Sequence, residues 1–292
     1  MLAYFRGIFY LLLSKIKYHL TTYTPKIVSD CEACINYDFS VVEAWIAAAQ
    51  RLDPEFTLQG RTVLEIGPGA DLGIATILLS KGIKRYYAYD IHDLLEKVQP
   101  EFYDRLVQCI GNRDGCGLQS ATQLLDAASE YSRTGDGTLN YICKDCIDFL
   151  EIPDGAVDVV FSQAALEHVQ DLEALFTRLA PKCRPGALLV AEVDLKAHSR
   201  WVRDYDPLNI YIYNQELYRL LSHPATPNRV RPREYAAHLK KTGWTDIQII
   251  PLKTADKDYV DHIRPSIQPR FRDNDLSCLS ILLLAKKGEQ RA

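Results

Sequence analysis

Short apolar runs alternate with helix-spaced apolar positions through the middle of the chain, and that alternation predicts a parallel sheet assembled from βαβ units. Five runs carry the pattern, at residues 62–66, 85–90, 139–144, 157–162 and 187–194. Helical spacing precedes them over 40–51 and separates the first two over 74–79. About fifty residues divide the second run from the third, more than one crossover helix uses, so 100–137 reads as an insertion. A second excursion, 196–243, follows the fifth run and is rich in Tyr, Arg, Asn and Pro. Both leave the carboxyl ends of strands, where open α/β sheets bind ligands, so both are expected to cover a substrate. Near the C-terminus, 245–251 and 277–285 are strand-like with no convincing crossover helix between them, which predicts an antiparallel pair at a sheet edge. The expected fold class is therefore α/β: a doubly wound, mostly parallel sheet with an antiparallel C-terminal strand pair. It forms one domain over 56–292, preceded by a helical extension over 1–55.

The first twenty residues are apolar and aromatic but interrupted by Arg6, Lys15 and Lys17. Their longest uncharged run, 7–14, is far short of the ~18–20 residues of a membrane span, and no small-residue cleavage site follows. On a helix, Phe5, Ile8, Phe9, Leu12, Leu13 and Ile16 form one stripe. Such a stripe either packs on the protein, its commoner fate, or lies in a membrane interface.

Charge narrows the partners. The 34 basic and 38 acidic residues leave a net charge of −4, which indicates no global attraction for nucleic acid. Eight cysteines are scattered without the density of a secreted disulfide scaffold, so reduced thiols in a cytoplasmic protein are expected, with peripheral membrane contact through residues 1–20 as the variant. Cys31 with Cys34 and Cys143 with Cys146 have C-x-x-C spacing, but the pairs lie far apart in unrelated surroundings and read as packed or incidental thiols.

The densest chemistry lies in Val63 to Gly73, an apolar strand running through a glycine turn into a helix. Glycines 67 and 69 permit backbone conformations and ligand approaches closed to other residues, and the following helix offers free N–H groups and a partial positive charge. A dinucleotide fingerprint is a weaker match, because Leu72 stands where its third glycine belongs and Glu65 precedes the first. The segment Leu64-Glu65-Ile66-Gly67-Pro68-Gly69 resembles the first motif of the class I S-adenosylmethionine-dependent methyltransferases. The resemblance continues through Asp90 at the end of the second run, Asp145 past the third, and Val157 to Ser162 with its following Leu166-Glu167-His168-Val169.

That resemblance implies S-adenosylmethionine as cofactor, held by Glu65, Gly67, Pro68, Gly69, Asp90, Asp145 and Ser162. Glu65 would help hold the amino group of the methionine portion, and Asp145 the adenine amino group. Asp90 would accept both ribose hydroxyls, a role it could equally play toward NAD.

Methyl transfer to a hydroxyl needs alignment, exclusion of water and a base. The candidates are His198, Asp194 and His168, all after the fourth or fifth run, with His198 the first choice as base. Asn209, Arg229 and Arg231 are candidate substrate contacts, the arginines offering forks to phosphate or carboxylate; pairing with nearby acids on a solvated loop is the equal alternative. The expected reaction is methylation of a hydroxyl on a small molecule or glycan, with a membrane lipid or quinone acceptor, or a silent interaction protein, as alternatives. The D/N-P-P-Y/F motif of DNA amino-methyltransferases is lacking at Ser162 to Ala165, so no DNA partner is expected, and no legible acid cluster suggests a metal.

Overall fold

In a computed structural model the described residues are 2–20, 30–95, 98, 100–114, 126, 132 and 137–289. Seven strands form one sheet: β1 (Thr62–Ile66), β2 (Arg85–Asp90), β3 (Leu139–Cys143), β4 (Val157–Gln163), β5 (Cys183–Asp194), β6 (Trp244–Thr254) and β7 (Cys278–Lys287). Their order is β3-β2-β1-β4-β5-β7-β6. The first five pair in parallel, while β7 is antiparallel to both β5 and β6. The expected fold class is the observed one. The chain runs outward from β1 to β3, then restarts beside β1 with β4. That reversal opens a crevice at the carboxyl ends of β1 and β4.

Helix α1 (Leu2–Leu20) and helix α2 (Cys31–Leu52) do not form a shared extension. Asp30 caps α2, accepting from the amides of Glu32 and Ala33 at 3.1 Å each. The helix then places Ile35, Phe39, Val42, Trp45 and Ala49 on one face, buried against the sheet. The Trp45 ring stacks on Phe161 of β4, centroids 4.5 Å apart and ring planes nearly parallel. Thus α2 is a layer of the sandwich, together with α3 (Gly73–Ser80) and α4 (Pro100–Asp114). In α4, Phe102, Leu106 and Ile110 pack into that layer, so the start of the expected 100–137 insertion is a covering helix. The rest of it lies, apart from residues 126, 132 and 137, outside the described residues.

On the opposite face, α5 (Leu172–Leu179) and α7 (Pro232–Lys241) cover Leu64, Val160 and Leu189. A third core stands apart from the sheet faces. It is built from the segment after β5, α6 (Gln215–Leu221), α8 (Lys257–Ile263) and one side of α1. Helix α8 is where the sequence shows no convincing helix; seven residues are two turns, too few for a legible period.

Helix α1 meets this third core through Tyr4, Ile8 and Leu11, not through the whole expected stripe. Gly7 makes the contact possible: a Cβ there would lie 2.0 Å from the Tyr213 hydroxyl and 2.1 Å from Asn209 Oδ1. Phe5, Phe9, Leu12, Leu13 and Ile16 are left facing solvent, 44–62 % exposed.

Candidate functional site

The β1–α3 turn is shaped by its glycines. Gly67 and Gly69 have φ of +77° and +82°, and the Gly67 amide donates to Tyr89 O of β2 at 2.8 Å. A Cβ on Gly67 would come within 2.4 Å of the Ala165 Cβ, so this strand end and the turn after β4 touch with no room for a side chain. Both glycines border a cavity of about 750 Å³ that continues past Asp90 and Asp145. Its far side is closed by His168, from the turn after β4, and by residues 222–225, from the excursion after β5.

Acids crowd the turn. Glu65 is fully buried at the end of β1 and neither carboxylate oxygen has a partner. Burial, then the fields of Asp71 and Asp90, push its pKa far upward. Asp38, reaching in from α2, is pushed up to about 9 by burial and by Asp71 and Glu65. Asp71 rises to about 6 from burial, restrained by the Gly73 amide, which donates to it at 2.9 Å. Asp90 is also raised by burial, opposed by backbone amides including that of His92, 2.9 Å away. Four carboxyl groups facing one turn, one wholly unpartnered, suit a ligand that brings hydrogen-bond donors and positive charge. Asp38 has no signal in the sequence, since it lies 27 residues before Glu65 and reaches the turn only through the packing of α2.

A second group of titratable residues meets at the other end. His168 and His198 lie edge to face, ring centroids 4.8 Å apart. His198 Nε2 stands 4.0 Å from Glu167 Oε1 and 3.9 Å from Asp194 Oδ2. Burial, then His168, lower the His198 pKa to about 4, and burial lowers that of His168, so both rings are neutral near pH 7. Glu167 is raised to about 8, mainly by burial. Asp194 is held by the Lys196 amide at 2.9 Å and its ammonium at 3.2 Å. The three candidates His198, Asp194 and His168 therefore do converge, around Glu167, a residue the sequence reading quoted without giving it a role. Its position beside His168 was the available signal.

The turn bearing Glu167 and His168 is clamped by Asn228. That side chain donates to Leu166 O and Val169 O at 2.9 and 2.8 Å, and its amide donates to Glu167 O. Helix α1 reaches the same wall: Ser14 Oγ is 2.9 Å from His223 Nε2, and the Tyr18 ring stacks on His223 at 4.6 Å.

Among the expected contacts Glu65, Pro68, Asp194 and His198 do not themselves line the cavity, and four more sit away from it. Ser162 is buried and donates to Ile66 O at 2.9 Å, tying β4 to β1 from behind the cavity wall. Asn209 is buried beneath Gly7, bonded to Asp206 and Tyr213. Arg229 and Arg231 are buried as well, not presented to a ligand. Arg229 donates to the carbonyls of Ile210 and Tyr213 and lies 3.9 Å over the Tyr218 ring. Arg231 donates to the carbonyls of Asp275 and Cys278. A guanidinium satisfies several buried carbonyls at once, which a sequence pattern cannot distinguish from an anion-binding fork.

Residues 38–249 match the model of a family described as a methyltransferase domain. Among solved structures, phosphoethanolamine N-methyltransferase 2 of Haemonchus contortus, in complex with S-adenosyl-L-methionine, aligns at 15 % identity and TM-score 0.47 over 85 % of this chain and 53 % of its own. The YcgJ protein of Bacillus subtilis aligns at 16 % identity and TM-score 0.45, over 86 % and 99 % of the two chains. A SAM-dependent methyltransferase of Archaeoglobus fulgidus aligns at 19 % identity and TM-score 0.45, over 84 % and 94 %. The chain spans about half the length of the Haemonchus protein.

Proposed function

The chain belongs to the methyltransferase-domain family, and from that premise we propose that it transfers the methyl group of S-adenosylmethionine to a hydroxyl of a small molecule or glycan. One observation carries this reading: a single cavity runs from the glycine turn and Asp90 to His168, whose ring meets His198 in a cluster with Asp194 and the buried Glu167. The residues fit the cofactor. Its ammonium and sulfonium charges answer the unpartnered Glu65 carboxylate and the crowded acids, and the positive-φ glycines let it approach the backbone. Asp90 and Asp145, both on the cavity wall, are suited to the ribose hydroxyls and the adenine amino group.

The cofactor supplies an electrophilic methyl on sulfur. The protein's part is to orient the acceptor in line with it, exclude water under residues 222–225, and receive the hydroxyl proton at His198 or Asp194. His168 lines the cavity beside that pair, and Glu167 stands 4.0 Å from His198 Nε2.

Calorimetric titration with S-adenosylmethionine tests the premise. Wild type should bind saturably, and Gly67→Val and Asp90→Ala should each weaken binding by ~10-fold or more, since one closes the turn and the other removes a buried charge-assisted bond. Absence of binding to folded wild type would leave an interaction protein, and saturable NADH binding a dinucleotide enzyme. With binding established, a screen of hydroxyl against amine acceptors decides the methylated atom.

A second reading, methylation of a lipid or quinone at a membrane surface, draws on the exposed apolar stripe of α1 beside the cavity wall. Among the described residues no helix is long and apolar enough to cross a membrane, so contact of this kind would be at the interface.

A further inference from the structure

We propose that Glu167, His168 and His198 form a binding site for one divalent transition-metal ion, placed to activate the acceptor hydroxyl. The site follows from the side chains alone; the activating role rests on the hydroxyl-methylation reading.

A carboxylate oxygen of Glu167 and one ring nitrogen from each histidine lie within 4.8 Å of one another. Both Glu167 oxygens, His168 Nδ1 and His198 Nε2 are buried and have no hydrogen-bond partner. A buried polar atom normally finds a partner, and four orphans from three adjoining side chains ask for one they can share. Water or a proton could serve one or two of them. An ion that accepts electron pairs serves all three residues together, and two imidazoles with one carboxylate are the donor set of first-row divalent ions.

Metal bonds of about 2.1 Å place neighbouring ligand atoms roughly 3–3.5 Å apart. The cluster is wider, by up to ~1–2 Å, so the side chains must rotate inward as the ion binds. Backbone supports fix both arms: Asn228 clamps the Glu167–His168 turn, and the Ala197 amide donates to Pro207 O at 2.8 Å beside His198. Three protein ligands leave coordination positions open, as catalytic sites do, and His168 is itself on the cavity wall.

The ion polarises the acceptor hydroxyl and lowers its pKa. With His198 committed as a ligand, Asp194, 3.9 Å from its Nε2, receives the proton. The C–O bond forms at the methyl while the C–S bond breaks, its electron pair remaining on sulfur. This assignment departs from the expectation of no metal. His198 lies thirty residues beyond His168 in the chain, so no spacing motif links them.

The test titrates Co2+ into the full chain after EDTA treatment, reading visible absorption and calorimetric stoichiometry, with S-adenosylmethionine binding measured on the same samples. The expected result is one Co2+ per chain, with affinity reduced ~100-fold or more in both Glu167→Gln and His198→Gln, while cofactor affinity and thermal unfolding stay near wild type. Folded wild type that takes up no Co2+ overturns the site. Equal Co2+ affinity in wild type and both variants also overturns it, placing the ion elsewhere. If one variant is unstable, the other carries the result, since Glu167 and His198 stand on different segments. Co2+ binding that both variants lose, in a chain that binds no S-adenosylmethionine, upholds the site and removes only its role in methyl transfer.

Discussion

Asp38 illustrates how a single side chain acquires chemistry from its surroundings. Its carboxyl, pushed up to about 9, keeps a proton in the folded protein that the unfolded chain releases near pH 4. The stability it contributes is therefore present below the unfolded value and is lost as pH rises toward the folded one. Asp38→Asn should leave the melting temperature of the ligand-free protein unchanged near pH 4 and raise it by at least ~2–4 °C at pH 8. Melts across that range check this; destabilisation of equal size at both ends would mean that the charged carboxylate is partnered. Glu65 was legible in the sequence because it stands in the glycine motif. Asp38 was not, because only the packing of α2 against β4 and α3 carries it to the turn.

At the scale of elements, buried arginines anchor the excursion after β5, the cap that residues 222–225 place on the cavity. Arg231, fully buried, joins the start of α7 to the carbonyls of Asp275 and Cys278 at the entry to β7. Arg231→Ala would strand those carbonyls and leave a void, at a cost of about 2–4 kcal/mol measured by urea unfolding. A substrate-binding arginine would instead raise KM with stability unchanged. The element boundaries in the sheet were readable because strands β1 to β5 carry continuous apolar runs. The role of the cap was not, because its polar residues look alike whether they face a ligand or satisfy buried backbone. Only the burial of Arg229, Arg231 and Asn209 separates the two cases.

The whole molecule brings α1 and the cap together into one surface. The exposed stripe of Phe5, Phe9, Leu12, Leu13 and Ile16 adjoins exposed Trp201, Tyr205 and Leu220. Tyr10 stacks on Trp201, Arg6 reaches the Tyr205 hydroxyl at 2.6 Å, and Lys15 reaches Leu220 O at 2.6 Å. Apolar residues with aromatic and basic neighbours suit the headgroup region of an anionic bilayer. The paired change Phe9→Glu with Leu13→Glu, on the face away from the Tyr4–Leu11 contact, should reduce sedimentation with phosphatidylserine-containing vesicles by ~10-fold or more. Absence of wild-type binding would reject the membrane role. By itself the sequence determined the α/β class, the strand order of appearance and the cofactor turn, because strand periodicity and glycine geometry are local properties of the chain. Only the tertiary structure decided which side of α1 is buried, which arginines are architectural, and that Glu167, His168 and His198 meet. Those outcomes depend on contacts between segments distant in sequence, which no local pattern encodes.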